Sequence, residues 1–449
     1  MSRSITRRTF FGLTSKIVAG VALSRPAWLN AAPERRLRLA QVGVAGMGRS
    51  DFNSLSGHAA VRYTAFCDVD RRRLDRILEH QGGGVGFYDY RKLFDEAADE
   101  FDAVVVSTPD HMHAPIAMRA LLTGKHVYCQ KPLAQTVAEC RVLTREAHDR
   151  GLVTQMGIQI HSSMVYRLAQ AIIRAGTIGK IREVHSWSDK EWGRQEEWLE
   201  PASDPVPDYL DWDLWLGVSS RRDYAAGRYH PFHWRRWTDF GTGTQGDMGC
   251  HIVDPVFAAL ELTAPHTLWA EGPSPYASMW PNRGICHYLF PGTRHTVGEL
   301  PYHWYDGANR PDVSGFELGE ERLPGQGSVF VGEKGNMVLP HIGTPQLHPR
   351  DRFPPEQVRE LVRSLEVSGR NHYHDWVDTI LGSGDGGTTA DFEYSGPLSE
   401  AVLLGLIASR FPEEKLEWDA AEGRFSNHDA ANAYLTREYR RGHEVPGLG

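Results

Sequence analysis

Two side chains one helical turn apart, Asp247 and His251, are of types that suit proton transfer. On a helix, residues at positions i and i+4 face the same way, so the carboxylate could orient the imidazole and stabilise its charged form. Histidine is the side chain whose proton exchange lies nearest neutral pH. The same pair could instead be an ordinary surface contact worth about 0.3 kcal/mol. The spacing alone favours the surface contact, and a role in proton transfer requires a binding site around the pair.

A dinucleotide-binding unit precedes this pair in the chain. The apolar run 38–45 predicts a strand that leads into a turn at Gly46 and Gly48, after which a helix begins. Gly46 permits the tight turn, and Gly48 lets a pyrophosphate approach the N-terminus of the helix. A second strand, 61–67, ends at Asp68, which is placed to bind the adenosine ribose hydroxyls and to repel a 2′-phosphate. This layout predicts NAD as the cofactor.

Two features depart from the usual dinucleotide pattern. Asp51 occupies the third glycine position, where the helix and the strand pack closely. The arginines at 71–73 follow Asp68 and could offset its repulsion of a 2′-phosphate. NADP therefore stays an alternative to NAD.

Alternating strand and helix signals continue beyond the glycine turn and strengthen its interpretation. Apolar, β-branched strands are predicted at 101–108, 124–129 and 153–156, with a helix ending at Leu122 between the first two. Repeated βα units of this kind predict an α/β fold with a doubly wound parallel sheet over residues 36–160. Ligands of such sheets bind at the carboxyl ends of the strands.

At the triplet Gln130-Lys131-Pro132 the sequence resembles the Gfo/Idh/MocA oxidoreductases, a family that includes glucose–fructose oxidoreductase and inositol dehydrogenase. In that family a Glu-Lys-Pro signature follows a strand at this place and supplies an active-site lysine. Gln130 replaces the family glutamate, so Lys131 is expected to lack the carboxylate neighbour of its counterparts. Three further stretches carry the resemblance, at 107–115, 155–159 and 246–254.

The resemblance implies a second, α+β domain over residues 161–449, built on a large, mostly antiparallel, open-faced sheet. In the family that open face often forms the oligomer interface, so we expect a homo-oligomer, a dimer or a tetramer. The C-terminal helices are expected to pack back on the first domain. The sequence agrees in outline. It predicts strands at 180–187 and 294–305, two strands within 328–339 around a turn at 333–335, and an apolar helix at 398–409.

The resemblance also assigns roles to residues. It implies that His251 is the general acid–base, that Lys131 polarises the reacting hydroxyl, and that Asp247 holds substrate hydroxyls or His251. The expected cofactor-binding residues are Gly46, Met47, Gly48, Asp68, Thr108, His113, Gln130, Lys131 and Gln159. The expected substrate-binding residues are Tyr166, Arg167, His233, Trp234 and Arg235.

Aromatic residues are dense before the Asp247 stretch and could line a sugar site, because aromatic faces suit sugar rings. The same residues are ordinary core material, and for Trp212 and Trp215 we expect the core. The other members of this segment are Tyr229, His230, His233, Trp234, Arg235 and Trp237.

These roles predict hydride transfer between NAD(P) and a hydroxyl of a sugar, glycoside or polyol, with a tightly held cofactor. A redox-neutral glycosidase is one alternative, in which oxidation, elimination, hydration and re-reduction cleave a glycosidic bond. A metal-dependent hydrolase using Asp247, His251 and Asp254 is another, but the spacing matches no standard zinc motif and we predict no metal ligand. The intact Lys131, Asp247 and His251 argue against a protein that only binds the cofactor.

Residues 1–32 are interpreted as a targeting segment outside the fold. The run Arg7-Arg8-Thr9-Phe10-Phe11-Gly12 is a twin-arginine pattern, followed by a short apolar stretch and small residues. A receptor reads this signal, so we expect a periplasmic or otherwise exported protein. The apolar stretch is too short to span a bilayer, so stable membrane insertion is not expected. An amphipathic N-terminal helix with two incidental arginines is the alternative.

Length and composition exclude several other classes of protein. A chain of 449 residues predicts two domains. The net charge of −8 and the pI near 6.2 give no basic footprint for nucleic acid. Five cysteines without paired spacing indicate free thiols rather than a disulfide framework.

Overall fold

The computed structural model describes residues 36–196, 203–384 and 386–448, so the predicted targeting segment lies outside the described residues. Short apolar runs in the first third of the chain form six strands. They are β1 (Leu37–Val42), β2 (Val61–Cys67), β3 (Val85–Phe87), β4 (Ala103–Val106), β5 (His126–Cys129) and β6 (Thr154–Met156). All pair in parallel, in the order β3-β2-β1-β4-β5-β6. The predicted doubly wound sheet is confirmed.

Helices connect these strands, and most of them begin at a side-chain cap. They are α1 (Met47–Ser56), α2 (Arg71–Gln81), α3 (Tyr90–Ala97), α4 (His113–Leu122) and α5 (Val137–Asp149). Asp70 and Asp89 cap α2 and α3, and Thr136 forms a capping box with Glu139 at the start of α5. Helices α1 and α4 have no side-chain cap, and Gly46 precedes α1.

The second sheet has nine strands and is antiparallel except for one central pair. Its strands are β7 (Ile181–Ser188), β8 (Thr267–Glu271), β9 (Gly284–Phe290), β10 (Leu300–Asp306), β11 (Gly327–Gly332), β12 (Asn336–Pro340), β13 (Gln346–His348), β14 (Leu416–Asp419) and β15 (Arg424–Phe425). They follow the order β13-β12-β11-β7-β10-β9-β8-β14-β15, in which β7 and β10 are the parallel pair. The mostly antiparallel second sheet is therefore confirmed.

The remaining helices lie in the second half of the chain. They are α6 (Met164–Arg174), α7 (Trp212–Leu216), α8 (Gly243–Ile252), α9 (Asp254–Leu260), α10 (Pro355–Ser364), α11 (His372–Leu381), α12 (Phe392–Ala408) and α13 (Asp429–Asn432). Within the described ranges, no helix combines the length and the apolar character that crossing a bilayer requires.

Two predicted element boundaries were wrong. The strand predicted at 294–305 begins only at Leu300, because Thr293 and Thr296 hydrogen-bond each other in a turn before it. The helix predicted at 398–409 begins earlier, at Phe392, where Asp391 caps it. Proline is tolerated best near the start of a helix, and here Pro397 lies inside the second turn.

The C-terminal helices pack against the first sheet. Trp376 and Val377 of α11 are fully buried in one cluster with residues of β1, β2 and α1, among them Phe52 and Tyr63. Helix α12 packs along α5. Residues 37–449 form one compact unit. Residues that flank strands of both sheets line a single cleft.

Candidate functional site

A cleft of about 750 Å³ lies at the carboxyl ends of β1, β2, β4 and β5 and extends to α8. In doubly wound sheets this edge is where ligands bind, because the loops there diverge and the helix N-termini point into the gap. The predicted site residues that line it are Gly46, Met47, Asp68, Thr108, His113, Gln130, Lys131, Trp234, Arg235, Asp247 and His251.

The glycine turn after β1 leaves room for a diphosphate. Gly46 has a left-handed backbone, with φ of +57°, and a Cβ placed there would meet nothing within 4 Å. A Cβ on Gly48 would lie 2.1 Å from the carbonyl oxygen of Gly43, so only glycine fits beneath the turn. Helix α1 has no side-chain cap, and the N–H groups of Gly48 and Arg49 donate to the carbonyl oxygens of Ala45 and Gly46 at 3.0 and 3.1 Å, so the helix dipole and the open space above Gly46 are what favour an anion here. The turn therefore fits the pyrophosphate of a dinucleotide.

Asp68 is fixed at the edge of the cleft by backbone donors. The N–H of Val44 donates to its Oδ2 at 3.1 Å, and the N–H of Asp70 donates to its Oδ1 at 2.9 Å. Burial raises the pKa of Asp68, although these two hydrogen bonds act to lower it. Each carboxylate oxygen keeps a lone pair for a ribose hydroxyl.

The neighbouring arginines are engaged with other groups. Arg72 and Arg73 both form ion pairs with the buried Asp70, at 3.0 and 3.3 Å, and the Arg71 guanidinium lies over the ring of Tyr88. Arg73 alone of the three lines the cleft. This arrangement favours NAD over NADP, because Asp68 faces the ribose position while the positive charge is directed to Asp70.

Asp51, at the third glycine position, is fully buried among neutral donors. Ser107 donates to its Oδ2 at 2.7 Å, Tyr373 donates to its Oδ1 at 3.0 Å, and the Gln130 amide donates to both oxygens at 3.0 Å. Burial raises the pKa of Asp51 to about 6. Because an amide donates where a carboxylate cannot, this network accounts for Gln130: a glutamate there would place two carboxyl groups together.

The side chain of Lys131 reaches across the cleft to Asp247. Its Nζ donates to Oδ1 of Asp247 at 2.5 Å and to the backbone oxygen of the same residue at 2.9 Å. Arg235 also donates to Oδ1, and the indole of Trp192 donates to Oδ2 at 2.5 Å. Burial alone would raise the pKa of Asp247, but the charges of Lys131 and Arg235 hold it well below its usual range.

This cluster corrects two expectations. Lys131 does have a carboxylate partner, namely Asp247 rather than residue 130. The hydrogen bonds of the Asp247 carboxylate go to Lys131, Arg235 and Trp192, so it does not hold His251 directly. The two cations beside Asp247 would also repel a divalent metal ion, which disfavours the metal-dependent hydrolase.

His251 lies one turn after Asp247 on α8, and its ring faces the same cleft. Its Nδ1 is buried and has no hydrogen-bond partner among the described residues. Burial lowers the pKa of His251 well below its usual value, and the charges of Lys131 and His341 act in the same direction. The imidazole is therefore neutral near pH 7 and has a lone pair with which to accept a proton.

Thr108 and His113 lie at the floor of the cleft. The His113 Nδ1 is 2.7 Å from the carbonyl oxygen of Pro132, and its Nε2 is 2.9 Å from that of Thr108. These contacts tie the start of α4 to the loop that carries Lys131. The hydroxyl of Thr108 is buried without a partner among the described residues and lines the cleft.

Five predicted binding residues do not line the cleft, namely Gly48, Gln159, Tyr166, Arg167 and His233, and the last four have other partners. Gln159 donates to the hydroxyl groups of Tyr128 and Tyr373, so it supports the Asp51 network from behind. Tyr166 is buried, and its hydroxyl hydrogen-bonds to Nδ1 of His341 at 2.9 Å. Tyr166 thus contacts His341, which lines the cleft, but does not line the cleft itself. The structure therefore does not bring Gln159 and Tyr166 to the cleft surface.

Arg167 and His233 lie outside the cleft as well. The Arg167 Nε donates to the backbone oxygen of Ser368 at 2.8 Å. The His233 Nδ1 is 2.9 Å from the guanidinium of Arg236. Gly48 lies beneath the glycine turn rather than on the cleft surface. The structure therefore does not place Arg167 and His233 on the cleft surface.

The aromatic segment divides between core and cleft. Trp212 and Trp215 stack at 4.7 Å in a buried cluster with Tyr229, as expected for the core, and Trp215 also lines the cleft. Trp234 lines the cleft, and the guanidinium of Arg235 lies 4.2 Å from the centre of its ring.

Sequence reasoning missed several residues on the substrate side of the cleft. Trp192 belongs to the aromatic-rich stretch, and that density was the available signal. His341 follows the end of β12 with no local motif to mark it. The lining residues that were not predicted include Lys190, Trp192, Phe232, Gln326, His341 and Ile342.

Two family models match the chain in sequence order. Residues 37–158 match the NAD-binding Rossmann fold of the oxidoreductase family Gfo/Idh/MocA, and residues 177–273 match the C-terminal α/β domain of that family. The first match contains the glycine turn, Asp68 and Lys131, and the second contains Asp247 and His251.

Named relatives and solved structures agree with these matches. Inositol 2-dehydrogenase 1 of Saccharopolyspora erythraea is 34% identical over 152 residues, 33% of this chain and 44% of the relative. Glycosyl hydrolase family 109 protein 1 of Shewanella sp. is 27% identical over 210 residues, 40% of this chain and 44% of the relative. The chain thus spans less than half the length of these relatives. The WlbA dehydrogenase of Bordetella pertussis, solved with NADH and UDP-GlcNAcA, shares the fold, with a TM-score of 0.59. The two chains are 14% identical, and the match covers 86% of this chain and 99% of the WlbA chain.

Proposed function

The chain belongs to the Gfo/Idh/MocA oxidoreductase family, and we propose that it is an NAD-dependent dehydrogenase of a sugar, glycoside or polyol hydroxyl. One observation carries the proposal: Lys131, Asp247 and His251 converge in a cleft whose other end holds the glycine turn and Asp68. The dinucleotide end and the proton-transfer end thereby face a single space. When bound, NAD supplies the hydride acceptor.

Lys131 is placed to bind the reacting hydroxyl. An ammonium group has three donors, and the oxygens of Asp247 take two of them. The third can donate to a substrate oxygen, which draws electron density from it and favours loss of its proton. Asp247 keeps the ammonium in position and offsets its charge in the buried site.

His251 is placed to accept the proton. It is neutral near pH 7 because burial lowers its pKa, and the residue lines the cleft beside Lys131. As the hydroxyl proton moves to His251, the carbinol hydrogen can leave as hydride. Phe232 and Trp234 line the adjoining wall and offer apolar faces to a sugar ring.

Identifying the bound nucleotide tests the proposal directly. The purified protein is denatured, and the released nucleotide and its redox state are determined. We expect NAD(H) in near one-to-one amount, with NADP(H) absent. A panel of glycosides and polyols is then added to native protein while the nicotinamide absorbance is followed. If the protein neither releases nor binds a nicotinamide nucleotide, the proposal is refuted.

A redox-neutral glycosidase is the second candidate, and the similarity to a family 109 glycosyl hydrolase supports it. In that cycle the cofactor is reduced and reoxidised before product leaves. Gel-filtered protein that cleaves a glycoside without added NAD would establish this alternative. Turnover that stops after one reduction of bound NAD would establish the dehydrogenase.

Export and self-association are further parts of the proposal. The twin-arginine pattern supports a periplasmic location, and the five cysteines, all buried and free, suit a protein that folds before export. Replacing Arg7 and Arg8 by lysine should retain the protein in the cytoplasm. A homo-oligomer, dimer or tetramer, is expected from the open sheet face, and light scattering of the purified protein measures it.

A further inference from the structure

Histidines from three neighbouring strands meet on one face of the second sheet. His185 lies on β7, His303 on β10 and His287 on β9, and the strand register places His303 opposite both of the others. Helix α8 covers the other face, where the Ser328 hydroxyl reaches the carbonyl oxygen of Ile252. Because side chains alternate along a strand, the three imidazoles lie on the face remote from the cleft.

A hydrogen-bond chain fixes which nitrogen of His303 is free. The His287 Nε2 lies 3.2 Å from Oε1 of Glu271, and a carboxylate can only accept, so Nε2 of a neutral His287 carries its proton. The Nδ1 of His287 must then accept from the Nδ1 of His303, which is 2.7 Å away. A neutral His303 therefore has its lone pair on Nε2.

His185 presents a second nitrogen beside it. The His185 Nδ1 bonds to the hydroxyl of Tyr305 at 3.0 Å, and its Nε2 is buried without a hydrogen-bond partner among the described residues. That Nε2 lies 3.6 Å from Oε1 of Glu183. Glu183, His185 and His303 each offer one ligand atom, and these atoms all lie within 4.8 Å of one another.

We propose that Glu183, His185 and His303 bind a divalent transition-metal ion of the Zn²⁺ type. Two imidazoles and one carboxylate form a ligand set that Zn²⁺ uses in proteins, and imidazole nitrogen disfavours Mg²⁺ and Ca²⁺. The run from His303 through His287 to Glu271 supplies the outer hydrogen bonds that usually orient a metal-binding histidine. Nothing in this site depends on the dehydrogenase cleft.

The ion would join the two central strands of the second sheet. Glu183 and His185 belong to β7, and His303 belongs to β10, so the ligands bridge the parallel pair in an otherwise antiparallel sheet. Parallel pairing is slightly less stable per residue than antiparallel pairing. The ring of Phe316, centred 5.1 Å from that of His185, packs against the site. The role we assign to the ion is to stabilise this strand pair.

Metal titration of the full-length protein tests the proposal. Chelator-treated protein is dialysed against ZnCl₂ and its metal content is measured, beside the variants His303→Asn and Glu183→Gln. The control is His148→Asn, which alters an exposed histidine paired with Glu393 on another surface. We expect one zinc ion per chain bound at least tenfold more tightly by the wild type and the control than by either site variant.

Thermal melting provides the second measurement. Zinc should raise the melting temperature of the wild type and of His148→Asn, and Mg²⁺ should not. Glu183 is 41% exposed, so Glu183→Gln should fold even if His303→Asn does not, and retained nucleotide verifies its fold. Equal zinc binding by the wild type and Glu183→Gln, or no saturable binding at all, would overturn the proposal.

Discussion

Asp51 and Asp247 are both buried beside the same cleft, yet their surroundings shift their pKa values in opposite directions. Asp51 is enclosed by a hydroxyl, a phenol and an amide, none of which carries charge, and burial raises its pKa to about 6. Asp247 is enclosed by Lys131 and Arg235, whose charges overcome burial and lower its pKa. The nature of the partner, rather than the depth of burial, decides the charge state.

The comparison assigns different tasks to the two residues. Asp247 stays ionised and fixes the ammonium group that meets the substrate. Asp51 joins the glycine-turn helix to Gln130 and to α11, so it orders the floor beneath the cofactor. The following experiments alter one side of this comparison at a time.

Removing the cation beside Asp247 should have the largest effect. In Lys131→Met the substrate oxygen loses its donor, and kcat/KM should fall by about a thousandfold, or ~4 kcal/mol. Steady-state reduction of NAD measures the loss, and bound nucleotide should stay at the wild-type level. Lys92→Met, at an exposed position of α3, is the matched control. Activity within tenfold of the wild type would remove Lys131 from the mechanism.

Removing the proton acceptor should have the next largest effect. His251→Asn cannot take the hydroxyl proton, so kcat should fall by about a hundredfold, while the affinity for NAD changes little. Because the pKa of His251 is lowered, wild-type activity should decline only as the pH falls well below 7, and that limb should vanish in the variant. If the decline in activity at low pH persists in His251→Asn, another group is responsible for that decline.

The raised pKa of Asp51 should appear in the pH dependence of stability. The folded protein binds this proton more tightly than the unfolded chain does, since the pKa rises from 3.8 to about 6. Ionisation of Asp51 therefore lowers the free energy of unfolding as the pH rises from 4.5 to 7. The expected decrease is about 2 kcal/mol. Urea unfolding of the wild type and of Asp51→Asn at both pH values isolates this contribution. Parallel behaviour of the two proteins would contradict it.

Restoring the family glutamate should have the smallest effect. Gln130→Glu places a second carboxyl group against Asp51, so the pair must take up a proton, at a net cost of about 1 kcal/mol of folding free energy at pH 7. The loss should shrink at pH 5 and vanish in the double variant Asp51→Gly with Gln130→Glu. Thermal melts at the two pH values measure it. A variant more stable than the wild type at pH 7 would show that Gln130 does not serve Asp51.

The parts of the site carried by local sequence patterns were predictable. The glycine turn and Asp68 lie on one strand–helix–strand run, and the pair Asp247 and His251 lies on one helix. These patterns need only neighbouring residues, as do strands β1, β2, β4, β5 and β6, which appeared close to their predicted positions. The three-residue strand β3 was not predicted.

Contacts between distant positions were not predictable. Tyr373 lies 322 positions from Asp51, and Trp192 lies 55 positions from Asp247. No periodicity in the sequence marks such partners. From the sequence, Gln130 indicated only the loss of the family glutamate, whereas in the structure it pairs with the buried Asp51. The same limit applies to His341, which only the second sheet brings to the cleft.

The buried position of Trp376 also bears on how the chain can be divided. Its indole, together with Val377, fills the space over β1 and β2 from a helix more than two hundred positions later in the sequence. A fragment stopped near residue 160 would leave that apolar surface uncovered and the partner hydroxyl of Asp51 missing. The nucleotide-binding half is thus not a detachable module, and chimeras that exchange halves with a relative would have to bring α11 along.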